Sequence, residues 1–413
     1  MTSGALARRL GTTDAVVIGL GSMVGAGVFA AFGPAARAAG AGLLIGLALA
    51  AVIAYCNATA SARLAAEYPT SGGTYIYGRE RLGHWWGYTA GWGFVVGKTA
   101  SCAAMALTFA TYAVPGPWWV QRPVAVAAVV ALAALNYRGV TRTALLTRAL
   151  VALTLTALGV VVIAGLSSGV DTGNLHLDAS PYGVLQAAGL LFFAFAGYAR
   201  IATMGEEVRD PARTIPRAIP IALFLAVGVY AIVGVTALLV AGPDRLAAAA
   251  APLTTLGGPG PVVRVGAAVA SLGALLALIA GIGRTTLAMA RHGDLPGWLA
   301  GVHPRYQVPH HAEIALAIVV SIVVLVVDVR GVIGFSSFGV LVYYAIANAA
   351  AFTLRRSGLC VLGGVGCLVL VATLPWQSIV AGLVIFVIGL AGRAKFRGDR
   401  HLRSTPSGSK AGS

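Results

Sequence analysis

The stretch VVIGLGSMVGAGVF (16–29) sets Gly19, Gly21, Gly25 and Gly27 behind four residues that would suit a strand. Glycines so placed could cradle a phosphate where a strand turns into a helix. They could equally weaken the middle of a membrane helix, leaving backbone N–H and C=O groups for a ligand. A dinucleotide site also needs an acid about 20 positions on to hold the ribose, and none occurs between Asp14 and Glu67. The phosphate reading therefore fails.

Other reactive side chains are sparse at membrane depth. The seven histidines (His84, His176, His292, His303, His310, His311, His401) fall in loops, the tail or span ends. His310 and His311 are adjacent, a poor spacing for two ligands on one helix face. The four cysteines, Cys56, Cys102, Cys360 and Cys367, lie within apolar segments without metal-type pairing and read as small packing residues. No Ser/His/Asp or Cys/His set occurs at depth, so neither an enzyme, a metal nor a cofactor is expected.

The elements that position these residues follow from composition. Of 413 residues, 58% are hydrophobic and 10% charged, with a mean hydropathy of +0.85, far from a soluble domain. A bilayer core needs about 20 apolar residues per helical span. Such stretches recur near 13–35, 41–66, 84–113, 119–137, 144–166, 182–205, 216–241, 260–290, 312–328, 331–354, 358–374 and 376–392. This predicts an all-α integral membrane protein of twelve transmembrane helices. The opening MTSGALARRLG shows no apolar segment or cleavage site of its own, so no cleaved signal is expected.

Basic residues near span ends stay in the cytoplasm. With the N-terminus inside, only Arg37, Arg122, Arg245, Arg264 and Arg330 of the 29 Lys and Arg fall outside, and Lys98, Arg200 and Arg284 fall in or beside spans. Both termini are expected inside, with 1–12 a cytoplasmic segment and 393–413 a basic, disordered tail exerting a weak pull on anionic lipid. The net charge of +16 is spread over every cytoplasmic loop, which argues against nucleic-acid binding.

Gly21 and Gly25 could serve helix packing alone. A second interruption, FFAFAGYARIATMGEE (192–207), stands in the sixth span at Gly197 and Arg200. Paired breaks in two halves point to a transporter of inverted repeats, 13–166 and 182–354, with spans 358–392 added. Each break offers a half-helix N-terminus to an anion and carbonyls to a cation. A channel would want a continuous polar pore, and a scaffold or sensor would need no paired breaks.

GSMVGAGVF, EYPTSGGTYIYGRERLG (67–83), FFAFAGYARIATMGEEVRDPARTIPRAI (192–219), GRTTLAMARHGDLPGWLAGVHPRYQVP (283–309) and FSSFGVLVYYAIANAAAFTLRR (335–356) occur in that order. The chain resembles the amino acid–polyamine–organocation superfamily, in particular its bacterial amino-acid permeases and its cationic amino-acid transporter-like branch. The resemblance implies a LeuT-type five-plus-five fold with broken helices 1 and 6, moving an amino acid by alternating access. It implies a substrate carboxylate at the backbone of Val24, Gly25, Ala26 and Gly27, and an ammonium at carbonyls of Phe193, Ala194 and Ala196 beside Gly197. Phe193 or Phe195 would close over the substrate or pack.

Departures bear on coupling. Relatives that dispense with sodium place a lysine in span five, whereas TRALVALTLTALGVVVIAG (147–165) offers Thr154 and Thr156 and no lysine. Lys98, about 20 Å into span three, is too deep to reach water readily. Desolvation makes a buried ammonium release its proton more easily, so Lys98 is a candidate for proton coupling, or a fixed charge resting on carbonyls. Ser271 in span eight stands where relatives bind sodium. Where the family often has an acid, Ala199 precedes Arg200, which disfavours cationic substrates; the alternative reading pairs Arg200 with Glu206 or Glu207 at a cytoplasmic gate. The expected function is uptake of neutral or small amino acids by proton symport across the cytoplasmic membrane, with exchange of amino acids or polyamines (antiport) as the alternative.

Overall fold

The computed structural model describes residues 10–404 apart from 70, 71, 140–143, 203, 205 and 206. Its helices are α1 (Thr12–Met23), α2 (Ala26–Ala30), α3 (Phe32–Ala39), α4 (Leu43–Glu67), α5 (Thr74–Leu82), α6 (His84–Ala113), α7 (Trp118–Tyr137) and α8 (Ala144–Ser167). There follow α9 (Pro181–Phe195), α10 (Ala199–Ala202), α11 (Pro211–Ala248), α12 (Gly260–Arg291), α13 (His310–Val326), α14 (Val329–Leu354), α15 (Gly358–Thr373) and α16 (Trp376–Ser404). Among the described residues the only extended pairing is one parallel bridge, Leu10 to Val208.

Ten segments are long and apolar enough to cross a membrane, while α13 and α15 are shorter apolar helices of 17 and 16 residues. This is a multi-pass membrane protein. Helix starts follow local chemistry: Ser180 Oγ accepts the Gly183 N–H at 3.0 Å ahead of Pro181, and Asp328 Oδ1 accepts that of Gly331 at 2.8 Å, each satisfying an orphan donor.

Several boundaries differ from expectation. The segment before span three is itself a short helix, α5, whose mixed face the span pattern hides. Span seven begins at Pro211 rather than at 216, and Pro216 sits inside α11. A kink at Gly242, φ 75°, which an L side chain rarely adopts, precedes Pro243 and lets α11 run on to Ala248. Helix α16 continues past 393 to Ser404, and the rest of the tail expected to be disordered, 405–413, lies outside the described residues. Arg393 holds that helix in place: its guanidinium is fully buried against Asp294 at 2.8 Å and lies 4.5 and 4.7 Å from the ring centres of Trp85 and Tyr88. The expected segment 1–12 is described only from Leu10.

Of the basic residues expected outside, Arg37 and Arg330 both donate to the Ala247 carbonyl at 3.0 and 2.9 Å. Elsewhere Leu10 N–H donates to Glu207 O at 3.2 Å and Arg209 N–H to Leu10 O at 2.8 Å, strapping Leu10 to the loop after α10.

Candidate functional site

Both expected breaks are present. Helix α1 ends at Met23; Val24 (φ −77°, ψ 49°) and Gly25 (φ −98°, ψ −138°) leave helical geometry before α2 resumes. The second break is a tight 3-10 turn, Ala196–Tyr198, between α9 and α10. It lies just before Arg200, which belongs to α10.

The breaks lie backbone to backbone. A Cβ at Gly197 would overlap the Ser22 carbonyl, and one at Gly27 would lie 2.6 Å from Ala194 Cα. Gly25 faces Ala274 of α12, where a Cβ would come within 2.7 Å of its methyl. These glycines therefore serve close helix approach in this conformation, and the space expected for a substrate at Gly25, Ala26 and Gly27 is filled by protein. Tyr230 of α11 ties the breaks together: its hydroxyl lies 2.7 Å from Met23 O and 2.9 Å from Ala194 O. One proton serves one carbonyl at a time, so the hydroxyl can alternate between them.

A small cavity of about 60 Å³ opens beside the turn, lined by Ser22, Phe94, Lys98, Ser101, Phe193, Ala196, Gly197, Arg200 and Arg284 among others. Lys98 is buried and its Nζ donates to the Ala196 carbonyl at 2.9 Å. That carbonyl is exposed by the break at the C-terminal end of a half-helix, where cations are favoured. Of the three carbonyls expected to meet a substrate ammonium, Ala194 O is therefore engaged by Tyr230 and Ala196 O by Lys98. Phe193 lines the cavity, whereas Phe195 is a core aromatic set edge-on to Tyr230, ring centres 5.0 Å apart.

Below it a vestibule of about 480 Å³ lies between α1, α8, α12 and the 306–309 loop, bordered by Val24, Thr154, Arg200, Glu207, Arg284 and Glu313. Ser22, Arg200, Ala274, Ala277 and Arg284 line both spaces. At this neck Arg200 reaches Glu207 at 3.1 Å and Arg284 reaches the same carboxylate at 2.8 Å. Burial alone would push the Glu207 carboxyl up, but the two guanidiniums outweigh it and hold it below the usual carboxylate range. Arg200 thus pairs with Glu207; Glu206 lies outside the described residues.

The span-five threonines separate. Thr154 borders the vestibule, its hydroxyl donating to Leu150 O at 2.9 Å. Thr156 is exposed on the outer surface of α8, away from both spaces. Ser271 is buried with no hydrogen-bond partner for its hydroxyl, and it lines neither space. Sequence reasoning missed Ser22, Tyr230, Arg284 as gate partner and Glu313. The first lies inside the glycine motif and Arg284 inside GRTT, so both were within quoted motifs; Tyr230 carried no signal, being one tyrosine in an apolar run. The four cysteines are free and buried, though Cys367 also accepts an amide hydrogen bond from Asn57 at 3.2 Å.

Two broken helices around a buried cavity, with a vestibule on one side, form the arrangement of a membrane transporter. The chain belongs to the Amino acid permease family, within the amino acid–polyamine–organocation superfamily; the family's profile matches residues 10–388. An uncharacterized transporter of Mycobacterium tuberculosis is 59% identical over 98% of this chain and 94% of the relative. The branched-chain amino acid permease BcaP of Bacillus subtilis is 26% identical over 94% of this chain and 93% of the relative. Human cationic amino acid transporter 4 is 28% identical over 85% of this chain and 60% of the relative. The chain is a transporter and not an enzyme.

Proposed function

We propose that this permease moves neutral or small amino acids across the cytoplasmic membrane by alternating access, coupled to protons through Lys98. The twelve helices would form the LeuT-type five-plus-five repeat, both termini in the cytoplasm, with membrane lipid as surroundings. The contact between Lys98 Nζ and Ala196 O carries the reading: it ties a titratable group directly to the broken helix that must rearrange around substrate. Changing the charge of Lys98 changes the stability of that turn, and so links protonation to conformation. The substrate carboxylate would reach the first-break backbone after the breaks separate, since Gly27 and Gly197 are filled while they touch.

The same contact favours a second reading. Lys98 occupies a carbonyl that a substrate ammonium would use, and two cations sharing one carbonyl repel. If substrate displaces the Lys98 proton, binding is competitive and the transport mode is exchange. Uptake of a labelled amino-acid panel into proteoliposomes, with and without an inward pH gradient, tests both. Symport gives accumulation that follows the gradient; exchange gives uptake that needs internal substrate. No uptake of any amino acid would overturn the assignment.

A further inference from the structure

Glu313 belongs to no motif that the transport cycle has yet used. It sits in the first turn of α13, is buried to 3% exposure, and its Oε2 has no hydrogen-bond partner. It borders the vestibule, and its Oε1 lies against α12, 3.7 Å from where a Cβ on Gly283 would stand. The next residue is Arg284, which lies within electrostatic reach of Glu313 while its guanidinium holds Glu207 at 2.8 Å.

We propose that Glu313 is a proton-binding residue of the vestibule gate, competing with Glu207 for Arg284. When Glu313 carries a proton it is neutral and makes no claim on Arg284, which bridges to Glu207 and Arg200 and holds the neck as observed. When it loses the proton, a buried carboxylate without a partner is strongly unfavourable. Arg284 is the nearby cation able to relieve it, and its departure leaves Glu207 with Arg200 alone. The neck then loosens between the cavity and the vestibule.

Other groups around Glu313 do not duplicate this. Glu207 and Arg200 face it across the neck from the α10 side. His303 and Tyr306 of the preceding loop, with His310 on its own helix, lie on its other flank; the His303 and His310 ring centres are 5.4 Å apart. His303 Nδ1 accepts the backbone N–H groups of Arg305 and Tyr306, both at 3.2 Å. Those contacts commit the His303 ring to holding its own loop rather than to the Arg284 bridge.

The assignment rests on alternating access for its purpose but not for its test. Ala277 lines both spaces, so Ala277→Cys reports the neck, while the four native cysteines are buried. The full chain in vesicles is labelled with a membrane-impermeant thiol reagent from the vestibule side, without substrate, across about pH 5 to 8. Scaled at each pH to the same reagent's rate with free glutathione, which removes the thiolate's own pH dependence, labelling should rise about tenfold with pH in this background, stay low and flat in Glu313→Gln, and be high throughout in Glu207→Gln. A pH dependence that survives in Glu313→Gln would move the role to the histidines and overturn the proposal, as would flat labelling in the parent. If Glu313→Gln does not fold, Arg284→Gln gives the same test, because titration of Glu313 then has no cation to move. Absence of amino-acid uptake would sink the transport reading and leave this result untouched.

Discussion

Lys98 is one ammonium among apolar helices, and its hydrogen bond goes to a backbone carbonyl, that of Ala196. Substitution by methionine keeps the approximate length and removes the charge. Ala196 O then loses its donor, so the turn relaxes, but the cavity keeps its shape. Lys98→Met should lose accumulation driven by an inward pH gradient while retaining exchange of substrate for substrate, measured with labelled amino acid in loaded and empty proteoliposomes. Equal loss of both modes would mark Lys98 as a structural charge. Glu207 carries a different dependence. Its carboxyl is held below the usual range by Arg200 and Arg284, so its stabilisation is full above the unfolded value of about 4.3 and is lost as pH falls through the lower folded value. The melting temperature should hold from neutral to about pH 5 and drop below about pH 4, with a shallower acid limb in Glu207→Gln. An acid limb unchanged in that variant would show that other carboxylates set it.

At the scale of elements, α16 is joined to the body through Asp294, in the turn after α12. Its carboxylate meets Arg393 at 2.8 Å, Arg79 of α5 at 3.4 Å and the Tyr75 hydroxyl at 2.8 Å. Burial first, and then the nearby Asp294 charge, push the Tyr75 phenol up, which keeps it a donor. Asp294→Asn leaves a buried guanidinium without its counter-charge, at a cost of about 3–5 kcal/mol, so detergent-purified protein should melt well below the parent; parental melting would mean Arg393 finds another partner. This junction was invisible in the sequence because its members lie in four separate segments and none shows periodicity. The broken helices were legible for the opposite reason. Glycines clustered inside an apolar span conflict with helix propensity, and that conflict is local. What the cluster could not disclose is that Gly27 faces Ala194 and Gly197 faces the Ser22 backbone rather than an open site. Nor could it show which polar residue on a third helix, Lys98 or Tyr230, completes the turn. The basic, Ser/Gly-rich composition also hid that α16 runs on to Ser404, where one buried arginine, Arg393, anchors the start of that stretch.

Across the whole molecule, charge is distributed by depth. Carboxylates border the vestibule, at Glu207 and Glu313, but among the described residues lining the central cavity the ionisable groups are Lys98, Arg200 and Arg284, with no acid. Glu207 offsets the guanidiniums from the vestibule side, leaving Lys98 as the cation deepest in the cavity. A second cation about 6 Å from Lys98 would be disfavoured by about 3 kcal/mol at an effective dielectric of about 20. That corresponds to about a hundredfold in affinity. A substrate side chain bearing a positive charge must therefore either displace the Lys98 proton or bind elsewhere, even though one relative, 28% identical, is named a cationic amino acid transporter. Neutral amino acids should accordingly compete for uptake by about two orders of magnitude better than lysine or arginine. In Lys98→Met, measured by exchange, that margin should narrow sharply. Preference for lysine or arginine in the parent would show that the cavity's positive charge is compensated during transport, and an unchanged margin in Lys98→Met would place the selectivity with Arg200 and Arg284 instead.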